Sequence, residues 1–296
     1  MRFLVSLITF WLAVTASAYQ YQQPYGALKT EQKFKDYTVK IYRNEEPPAD
    51  SDKNPDHRDG LGCFEILRSG EQVYFKTGVI FGLRSGGDEF NTNSPIIMGQ
   101  SILGDNEPDL LVSEINGGNN SLCDYYVFEI GDTFKFIAKI KDTGGGEFKD
   151  LRGNGCLDLI TYDVLTFDYW NCCGAFSPHP TVILRYQDGK FRPDLEQMKK
   201  PRPAEPELEK LAAGFKAKFA DCQNDYDFKT WSAPYQMWTE MLNLIYSGNM
   251  ESAWRLCDLS WPENYPGKTK FLKEFKKQLA TGPYYNDIKQ TSFQVN

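Results

Sequence analysis

Histidine, positive charge and long apolar runs are all scarce in this sequence, and each scarcity argues against a class of protein. The 296 residues include two histidines, which disfavours a His-rich metal centre. The 33 basic residues are outnumbered by 40 acidic ones, so the basic footprint of a nucleic-acid-binding protein is missing. With 41% hydrophobic and 15% aromatic residues, the composition is that of a folded globular protein.

The N-terminus has the pattern of a secretory signal peptide. Arg2 precedes an apolar run over residues 3–14, and small residues follow up to Ala18. The run is too short for a membrane-spanning helix, and no later segment is apolar enough to be one. We therefore predict a signal segment over residues 1–18, cleavage after Ala18, no transmembrane anchor, and a soluble protein exported to a periplasmic or extracellular location.

Export would place all seven cysteines in an oxidising compartment, where disulfide bonds persist. The spacing contains no pair of Cys-x-x-Cys motifs, which argues against a zinc site. Cys222 and Cys257 are the two cysteines of the C-terminal third, and a bond between them would join two helices. The odd number leaves one thiol free or paired between chains.

Charge and composition divide the chain near residue 200. Residues 1–198 have a net charge of −9 and residues 199–296 a net charge of +2. Between them, residues 199–206 contain three prolines, a composition typical of a short stiff linker. We predict two domains in an α+β fold, a β-rich domain over residues 19–198 and a small α-helical domain over residues 207–296.

The first domain alternates apolar and polar residues with the period of β-strands. Three segments, 64–75, 127–136 and 183–191, each have two such strands around a glycine-containing turn, which predicts three β-hairpins. Residues 104–112 and 153–161 are also similar to each other. These similarities predict an antiparallel domain of blade-like repeats, each with about four strands.

Beyond residue 206 the apolar residues recur at steps of three and four, which predicts amphipathic helices. Four such stripes occur, the last ending before Gly282. Short connections between them favour a small bundle or a stack of helical hairpins. The turn at residues 248–257, with Ala253 four residues after Asn249, resembles part of a tetratricopeptide unit.

Residues 150–158 come close to a cation-binding loop, in which oxygens at positions 1, 3, 5 and 9 converge on the ion. Asp150, Asn154 and Asp158 are the candidate metal ligands, and calcium is the cation that such a loop suits. Arg152 occupies position 3, where it brings a permanent positive charge.

This loop and the apolar strand after it resemble the FG-GAP and VCBS-type repeats of integrin-like β-propellers, over about residues 95–192. Residues 104–109 look like a second copy in which Ser101 and Leu103 stand in place of ligands. The resemblance implies structural calcium and contacts with other proteins. Three copies are too few for a closed propeller, so either residues 19–59 supply hidden strands or the domain is an open derivative.

A second interpretation of the loop needs no metal. Asp and Asn in Gly-rich loops commonly cap their own backbone in Asx-turns. Arg152 could then replace the charge of a metal by pairing with Asp150 or Asp158. The two interpretations predict either no cofactor or a structural calcium ion.

An aromatic group, Tyr169, Trp170 and Phe176, lies beside the adjacent cysteines Cys172 and Cys173. Such a density of rings can grip a peptide or a sugar, which makes these three residues a candidate binding surface. The alternative is packing between two sheets, with Trp170 filling the space.

Because no nucleophile–base pair and no complete metal set is visible, we expect a non-enzymatic, exported binding or scaffold protein with a protein partner. One alternative is an envelope-polymer hydrolase that uses two carboxylates, Asp163 and Asp168, beside the aromatic group. Another is a periplasmic inhibitor or immunity-like protein built around a rigid loop near Cys172.

Overall fold

The computed structural model describes residues 26–44, 62–83, 97–117, 122–170, 172, 174–222 and 233–291. Within these ranges every β-strand ends by Pro193, and every α-helix begins at or after Leu195. The protein is a mixed α+β fold, with antiparallel sheets in its N-terminal part and helices at its C-terminus. The predicted signal segment, residues 1–18, lies outside the described residues.

The described strands form three antiparallel sheets, and each sheet is built from strands that lie close together in the sequence. The first sheet has the order β1-β2-β3-β4, with bounds Ala27–Phe34, Tyr37–Arg43, Gly62–Arg68 and Glu71–Gly78. The second has the order β5-β7-β8-β9, with β6 also on β7, and bounds Ile80–Gly82, Met98–Gln100, Asp109–Gly117, Leu122–Ile130 and Phe134–Thr143. The third has the order β10-β11-β12-β13, with bounds Glu147–Lys149, Asp158–Tyr162, Thr181–Gln187 and Lys190–Pro193.

The three predicted hairpins are confirmed as the pairs β3–β4, β8–β9 and β12–β13. Two of them turn through two residues, Ser69-Gly70 and Asp188-Gly189, and φ is positive at both positions of each turn. That geometry matches the right-handed twist of the strands it connects. Strands β1 and β2 lie within residues 19–59, the stretch in which hidden strands were a predicted alternative.

The second sheet lies between two separate hydrophobic clusters because successive side chains of a strand point to opposite faces. Leu110 of β7 and Phe128 of β8 pack with Phe64 of the first sheet. Their neighbours Leu111 and Val127 belong instead to the cluster that contains the third sheet and the helices. The second sheet is therefore covered on both faces.

Six α-helices follow the strands in the described residues. Their bounds are Leu195–Met198 for α1, Glu205–Cys222 for α2, Tyr235–Tyr246 for α3, Met250–Ser260 for α4, Lys268–Leu279 for α5 and Tyr285–Thr291 for α6. The four predicted stripes correspond to α2 to α5, and their side chains are mostly buried. The short helices α1 and α6 have too few turns to show a stripe and were not predicted.

The helices pack against the third sheet and share its core. Leu159 and Val182 of that sheet belong to the same buried cluster as Trp238 of α3 and Phe275 of α5. The predicted linker is extended over residues 199–204, and α2 already begins at Glu205. The division into two domains stays a prediction. In the part of the chain that the structure describes, no helix is long and apolar enough to cross a membrane.

Candidate functional site

The predicted calcium loop, residues 150–158, is closed by hydrogen bonds to its own backbone. Oδ1 of Asp150 accepts the N–H of Gly153 at 2.6 Å, and Oδ2 accepts the N–H of Gly155 at 2.8 Å. These and two further N–H groups of the loop hold the pKa of Asp150 below its usual value, the bond from Gly155 contributing most. Oδ1 of Asn154 accepts the N–H of Cys156 at 3.2 Å. Both side chains therefore act as caps of Asx-type turns.

Arg152 supplies a positive charge beside two buried carboxylates. One terminal nitrogen of its guanidinium lies 2.7 Å from Oδ2 of Asp158, and the other bonds Asp194. Burial raises the pKa of Asp158, and the charge of Arg152 opposes that rise. Arg185 approaches Asp194 to 4.0 Å. Since Asp194 also accepts the N–H of Gln197 at the start of α1, this network joins the loop to the beginning of the helical part.

The donor set of this loop does not fit calcium. Such an ion requires six to eight oxygen ligands, whereas the oxygens of Asp150 are taken up by backbone N–H groups and Asp158 is bonded to a guanidinium. Within the described ranges, no group of three or more His, Cys, Asp or Glu residues is placed to hold a metal ion. The geometry matches the predicted alternative in which Arg152 pairs with Asp158, and Asp150 and Asn154 serve as turn caps.

Residues 101–109 form a second loop with the same hydrogen-bond plan. The side-chain oxygen at position 1, Oγ of Ser101, accepts the N–H of Gly104 at 3.0 Å, and Oδ1 of Asp105 at position 5 accepts the N–H of Glu107 at 3.0 Å. At position 9, Asp109 is fully buried. The two loops are therefore equivalent in structure as well as in sequence.

The difference between the loops lies in the partner of the last aspartate. Oδ2 of Asp109 accepts the backbone N–H groups of Ile102 at 2.6 Å and Leu103 at 3.2 Å, while its Oδ1 is buried without a hydrogen-bond partner among the described residues. Burial raises the pKa of Asp109 to about 6, against the lowering effect of those two N–H groups. Residues 101–109 contain no lysine or arginine, so this loop has no cation of its own beside its buried carboxylate.

The two loops contact each other directly. The N–H of Leu157 donates to the carbonyl of Ile102 at 2.9 Å. A Cβ atom added at Gly104 would lie 2.8 Å from the Cβ of Cys156, which is closer than side chains pack. This contact connects the second sheet to the third at the ends where β7 and β11 begin.

The predicted aromatic surface divides into a half-buried residue, Trp170, and two exposed ones, Tyr169 and Phe176. The ring of Trp170 lies 5.1 Å from that of Trp238 and 5.8 Å from that of Phe275, so it packs between the β11–β12 connection and the helices. Tyr169 is 51% exposed and Phe176 is 41% exposed. Trp170 is a packing element, as the predicted alternative proposed, although its partners are helices rather than a second sheet.

Asp163, one of the two predicted hydrolase carboxylates, holds the β11–β12 connection in place. It is buried, and it accepts hydrogen bonds from the N–H groups of Leu165 and Thr166, the hydroxyl of Thr166 and the hydroxyl of Tyr246 on α3. All four acceptor positions of the carboxylate are thus filled. Asp168 is half-buried, with one oxygen unpartnered in the described residues, and neither aspartate lines a cleft described below. This arrangement suits a structural role for Asp163.

A cleft of about 450 Å³, here called the basic cleft, opens where the edge strands β9 and β13 approach each other. Three lysines line it, Lys139 and Lys141 of β9 and Lys190 of β13. Its apolar wall includes Leu165 of the β11–β12 connection and Phe191 of β13. The remaining lining residues are 138, 140, 166, 184, 281, 283 and 284.

The charge of the basic cleft stands out in an acidic protein. None of the described residues that line it carries a carboxylate. Lys139 is half-buried and lies 2.5 Å from a carboxylate oxygen of Asp124, whereas Lys141 and Lys190 are exposed. Leu165 is 40% exposed, which leaves part of the apolar wall open to solvent. The cleft can therefore hold a ligand that is both apolar and negatively charged.

Sequence reasoning did not find the basic cleft, because its residues come from four separate segments. One signal was present, since β9 carries Lys135, Lys139 and Lys141 within the acidic half of the chain. A strand with several lysines in an acidic domain indicates a local positive surface. Which side chains face those lysines depends on how the sheets pack, and the periodicity of one strand does not carry that information.

Three of the described cysteines, Cys63, Cys123 and Cys257, are poor nucleophiles. Burial raises the pKa values of Cys63, Cys123 and Cys257 to about 12, so at neutral pH they are thiols rather than reactive thiolates. Cys257 has no disulfide partner among the described residues. The predicted bond between Cys222 and Cys257 is not tested, because the side chain of Cys222 lies outside the described residues.

Comparison of the chain with protein-family models, with curated proteins and with solved structures finds no match. The resemblance to FG-GAP and VCBS-type repeats therefore stays a prediction from the sequence.

Proposed function

We propose that this chain is an exported, non-enzymatic binding protein whose basic cleft holds an acidic, apolar segment of a partner protein. The observation that carries the proposal is the lining of the basic cleft, which combines the exposed Lys141 and Lys190 with an apolar wall and contains no carboxylate among the described residues. The third lining lysine, Lys139, is paired with Asp124. Lysines attract the acidic side chains of a segment, and burial of its apolar side chains contributes most of the binding energy.

The walls of the basic cleft are held by the core rather than by a free loop. Leu165 lies between two anchors of the β11–β12 connection, the hydrogen-bonded Asp163 and the buried Phe167. The side chain of Gln278 on α5 also donates to the carbonyl of Thr166 at 2.5 Å. A wall that is already ordered loses little conformational entropy on binding, which favours recognition of a peptide.

The three sheets suit a scaffold of repeated blade-like units, arranged as an open derivative of the FG-GAP and VCBS type. The first and third have four antiparallel strands and the second has five, and in the second and third an equivalent nine-residue loop leads into a strand, β7 and β11 respectively. We propose that this β-rich domain and the helical domain that begins near residue 207 act together, since the basic cleft takes residues from both.

The hydrolase alternative is the weaker one, because Asp163 has no acceptor position left for a substrate or a water molecule. An inhibitor or immunity-like protein would use the same basic cleft. The identity of the partner distinguishes these two forms of the proposal, since an inhibited partner is an enzyme that loses activity in the complex.

A photo-crosslinking experiment tests the cleft directly. The full chain carrying p-benzoylphenylalanine in place of Leu165 is expressed in its native host and irradiated, and the attached peptide is sequenced by mass spectrometry. The matched control carries the same residue in place of Leu211 of α2, which is also 40% exposed. We expect an acidic, apolar segment on the first variant and not on the second.

The captured segment, made as a labelled peptide, then allows an affinity measurement by fluorescence anisotropy. We expect the double change Lys141→Glu and Lys190→Glu to weaken binding by at least about tenfold. The same change at two exposed lysines of α2, Lys210 and Lys218, should leave affinity nearly unaltered. A basic captured segment, or equal affinity of the two double variants, would rule out the proposed cleft.

A further inference from the structure

A second cleft, of about 390 Å³, lies between the extended segment before α2 and the start of α4. We call it the linker cleft. It is lined by residues 196, 199–202 and 248–252, none of which lines the basic cleft. One side of its lining is the start of α4, residues 248–252, and the other includes the proline-rich segment, residues 199–202.

The first turn of α4 is not capped by a side chain. Asn249 occupies the N-cap position, but its side chain accepts no hydrogen bond from the turn. Its Nδ2 instead donates to the carbonyls of Lys200 at 3.1 Å and Pro201 at 3.4 Å. The N–H groups at the start of a helix carry partial positive charge, and without a cap they are available to an anion.

Ser252, in the same first turn, has a buried hydroxyl that lacks a partner. The residue lines the linker cleft and is 1% exposed, and its Oγ makes no hydrogen bond within the described part of the chain. Buried hydroxyl groups in folded proteins are almost always hydrogen-bonded, and an unpaired one calls for an explanation. A ligand that accepts a hydrogen bond in the linker cleft would supply the missing partner.

The charged residues around the linker cleft favour a negative ligand. Lys199, Lys200 and Arg202 line it against two carboxylates, Glu196 and Glu251. The guanidinium of Arg202 lies 3.6 Å from Glu251, and both side chains are largely exposed. With Arg202 paired to Glu251, the two lysines exceed the remaining carboxylate, Glu196, by one positive charge next to the positive end of α4.

We propose that the linker cleft binds a phosphate group, with Ser252 and the first-turn N–H groups of α4 as hydrogen-bond donors and with Lys199 and Lys200 as counter-charges. A phosphate offers several strong acceptor oxygens to converging donors, and helix N-termini are common phosphate sites. The group could arrive as free inorganic phosphate or as a phosphate monoester. The inference does not depend on the function proposed for the basic cleft.

Isothermal titration of the full chain with inorganic phosphate, at constant ionic strength in chloride, tests the site. We expect saturable binding to one site per chain, which Ser252→Ala and Lys200→Gln each weaken by about tenfold or more. Lys210→Gln on the exposed face of α2 serves as the matched control and should leave binding unaltered. A parallel titration with phenyl phosphate identifies the source, since tighter binding of the monoester indicates an esterified ligand and tighter binding of inorganic phosphate the free anion.

Thermal melting provides a second readout that separates binding from general salt effects. Phosphate stabilises many proteins because it is excluded from their surfaces, and that effect does not saturate at low concentration. A site-bound phosphate should raise Tm in the native chain and much less in Ser252→Ala, whose Tm in chloride should stay close to native. Absence of saturable heat, or equal binding by native protein and both site variants, would overturn the proposal.

Discussion

The two nine-residue loops, residues 101–109 and 150–158, have the same backbone plan but neutralise their last aspartate in different ways. Oδ2 of Asp158 pairs with the guanidinium of Arg152, whereas Oδ2 of Asp109 accepts two backbone N–H groups; Oδ1 of each is buried without a hydrogen-bond partner among the described residues. Two solutions therefore exist within one chain for a carboxylate buried at the start of a strand. Burial raises the pKa of both carboxyl groups; at Asp158 the charge of Arg152 opposes that rise, whereas at Asp109 two backbone N–H groups oppose it.

This difference also sets what each loop connects. Arg152 reaches Asp194, 42 residues later in the sequence, and so connects its loop to α1. The loop at residues 101–109 has side-chain hydrogen bonds to its own residues, and its hydrogen bond to the loop at residues 150–158 is between backbone groups. Loss of the Arg152 ion pairs should therefore affect α1 as well as the loop itself.

The largest effect is expected from Arg152→Ala. It leaves Asp158 buried without its ion-pair partner and Asp194 with only the more distant Arg185, and removing one partner of a buried ion pair typically costs about 3–5 kcal/mol. Urea unfolding at pH 7 measures this loss. Arg255→Ala, which removes an exposed pair with Glu205, is the control and should have a much smaller effect. Similar losses of unfolding free energy in both variants would show that the buried ion pair contributes no more to stability than the exposed one.

A pH-dependent effect is expected from Asp109→Asn. Because the pKa of Asp109 is about 6 in the folded protein and near 4 when unfolded, the folded state binds the proton more tightly. The contribution of Asp109 to stability is therefore present below about pH 4 and is lost as the pH rises to about 6. The asparagine variant should gain relative to the native protein by about 2 kcal/mol between these pH values.

Urea unfolding at several pH values between 4 and 7 measures that gain for the native chain and the variant. Asp105→Asn, at an exposed position of the same loop, is the control and should show no such relative gain. A stability difference between native protein and Asp109→Asn that is constant over this range would contradict the assignment of the proton to Asp109.

The contact between the loops can be tested at their equivalent glycines. Gly104 and Gly153 both have positive φ, at 78° and 67°, but only the first lies against a neighbouring loop. Alanine at either position incurs the left-handed backbone penalty, and at Gly104 it also meets Cys156. We expect Gly104→Ala to be less stable than Gly153→Ala by about 1–3 kcal/mol in urea unfolding. Equal losses would mean that the loops do not press on each other.

The smallest effect is expected from calcium. Since Arg152 supplies the positive charge beside Asp158, neither added calcium nor a chelator should change the Tm of the native chain. Differential scanning fluorimetry with calcium and with chelator makes this comparison. A rise in Tm that saturates with calcium would restore Asp150, Asn154 and Asp158 as metal ligands.

Much of the fold could be predicted because it depends on local patterns. The hairpins of β3–β4, β8–β9 and β12–β13 show period-two alternation around turn residues, and α2 to α5 show apolar stripes. Boundaries were less accurate, since α2 begins at Glu205 within the predicted linker. The short helix α1 depends on the cap that Asp194 provides and on packing against β12, neither of which periodicity reveals.

The candidate sites were harder to predict because their parts are distant in sequence. The aromatic residues near 170 were identified as a group, but their division into a half-buried Trp170 and exposed Tyr169 and Phe176 depends on where the helices pack. Asp163 was a candidate catalytic carboxylate in the hydrolase alternative, because the sequence around an aspartate does not show which groups bond its side chain. Its hydroxyl donor Tyr246 lies 83 residues away.

Local structures can be predicted from the sequence, because an Asx-turn at Asp150 or a hairpin at Ser69-Gly70 involves groups within a few positions of each other. The choice of a guanidinium over a metal ion at Asp158, and the gathering of Lys141, Leu165 and Lys190 around one cleft, required the packed fold. Charge and burial act through space, so the partners of a side chain are settled by the arrangement of sheets and helices around it.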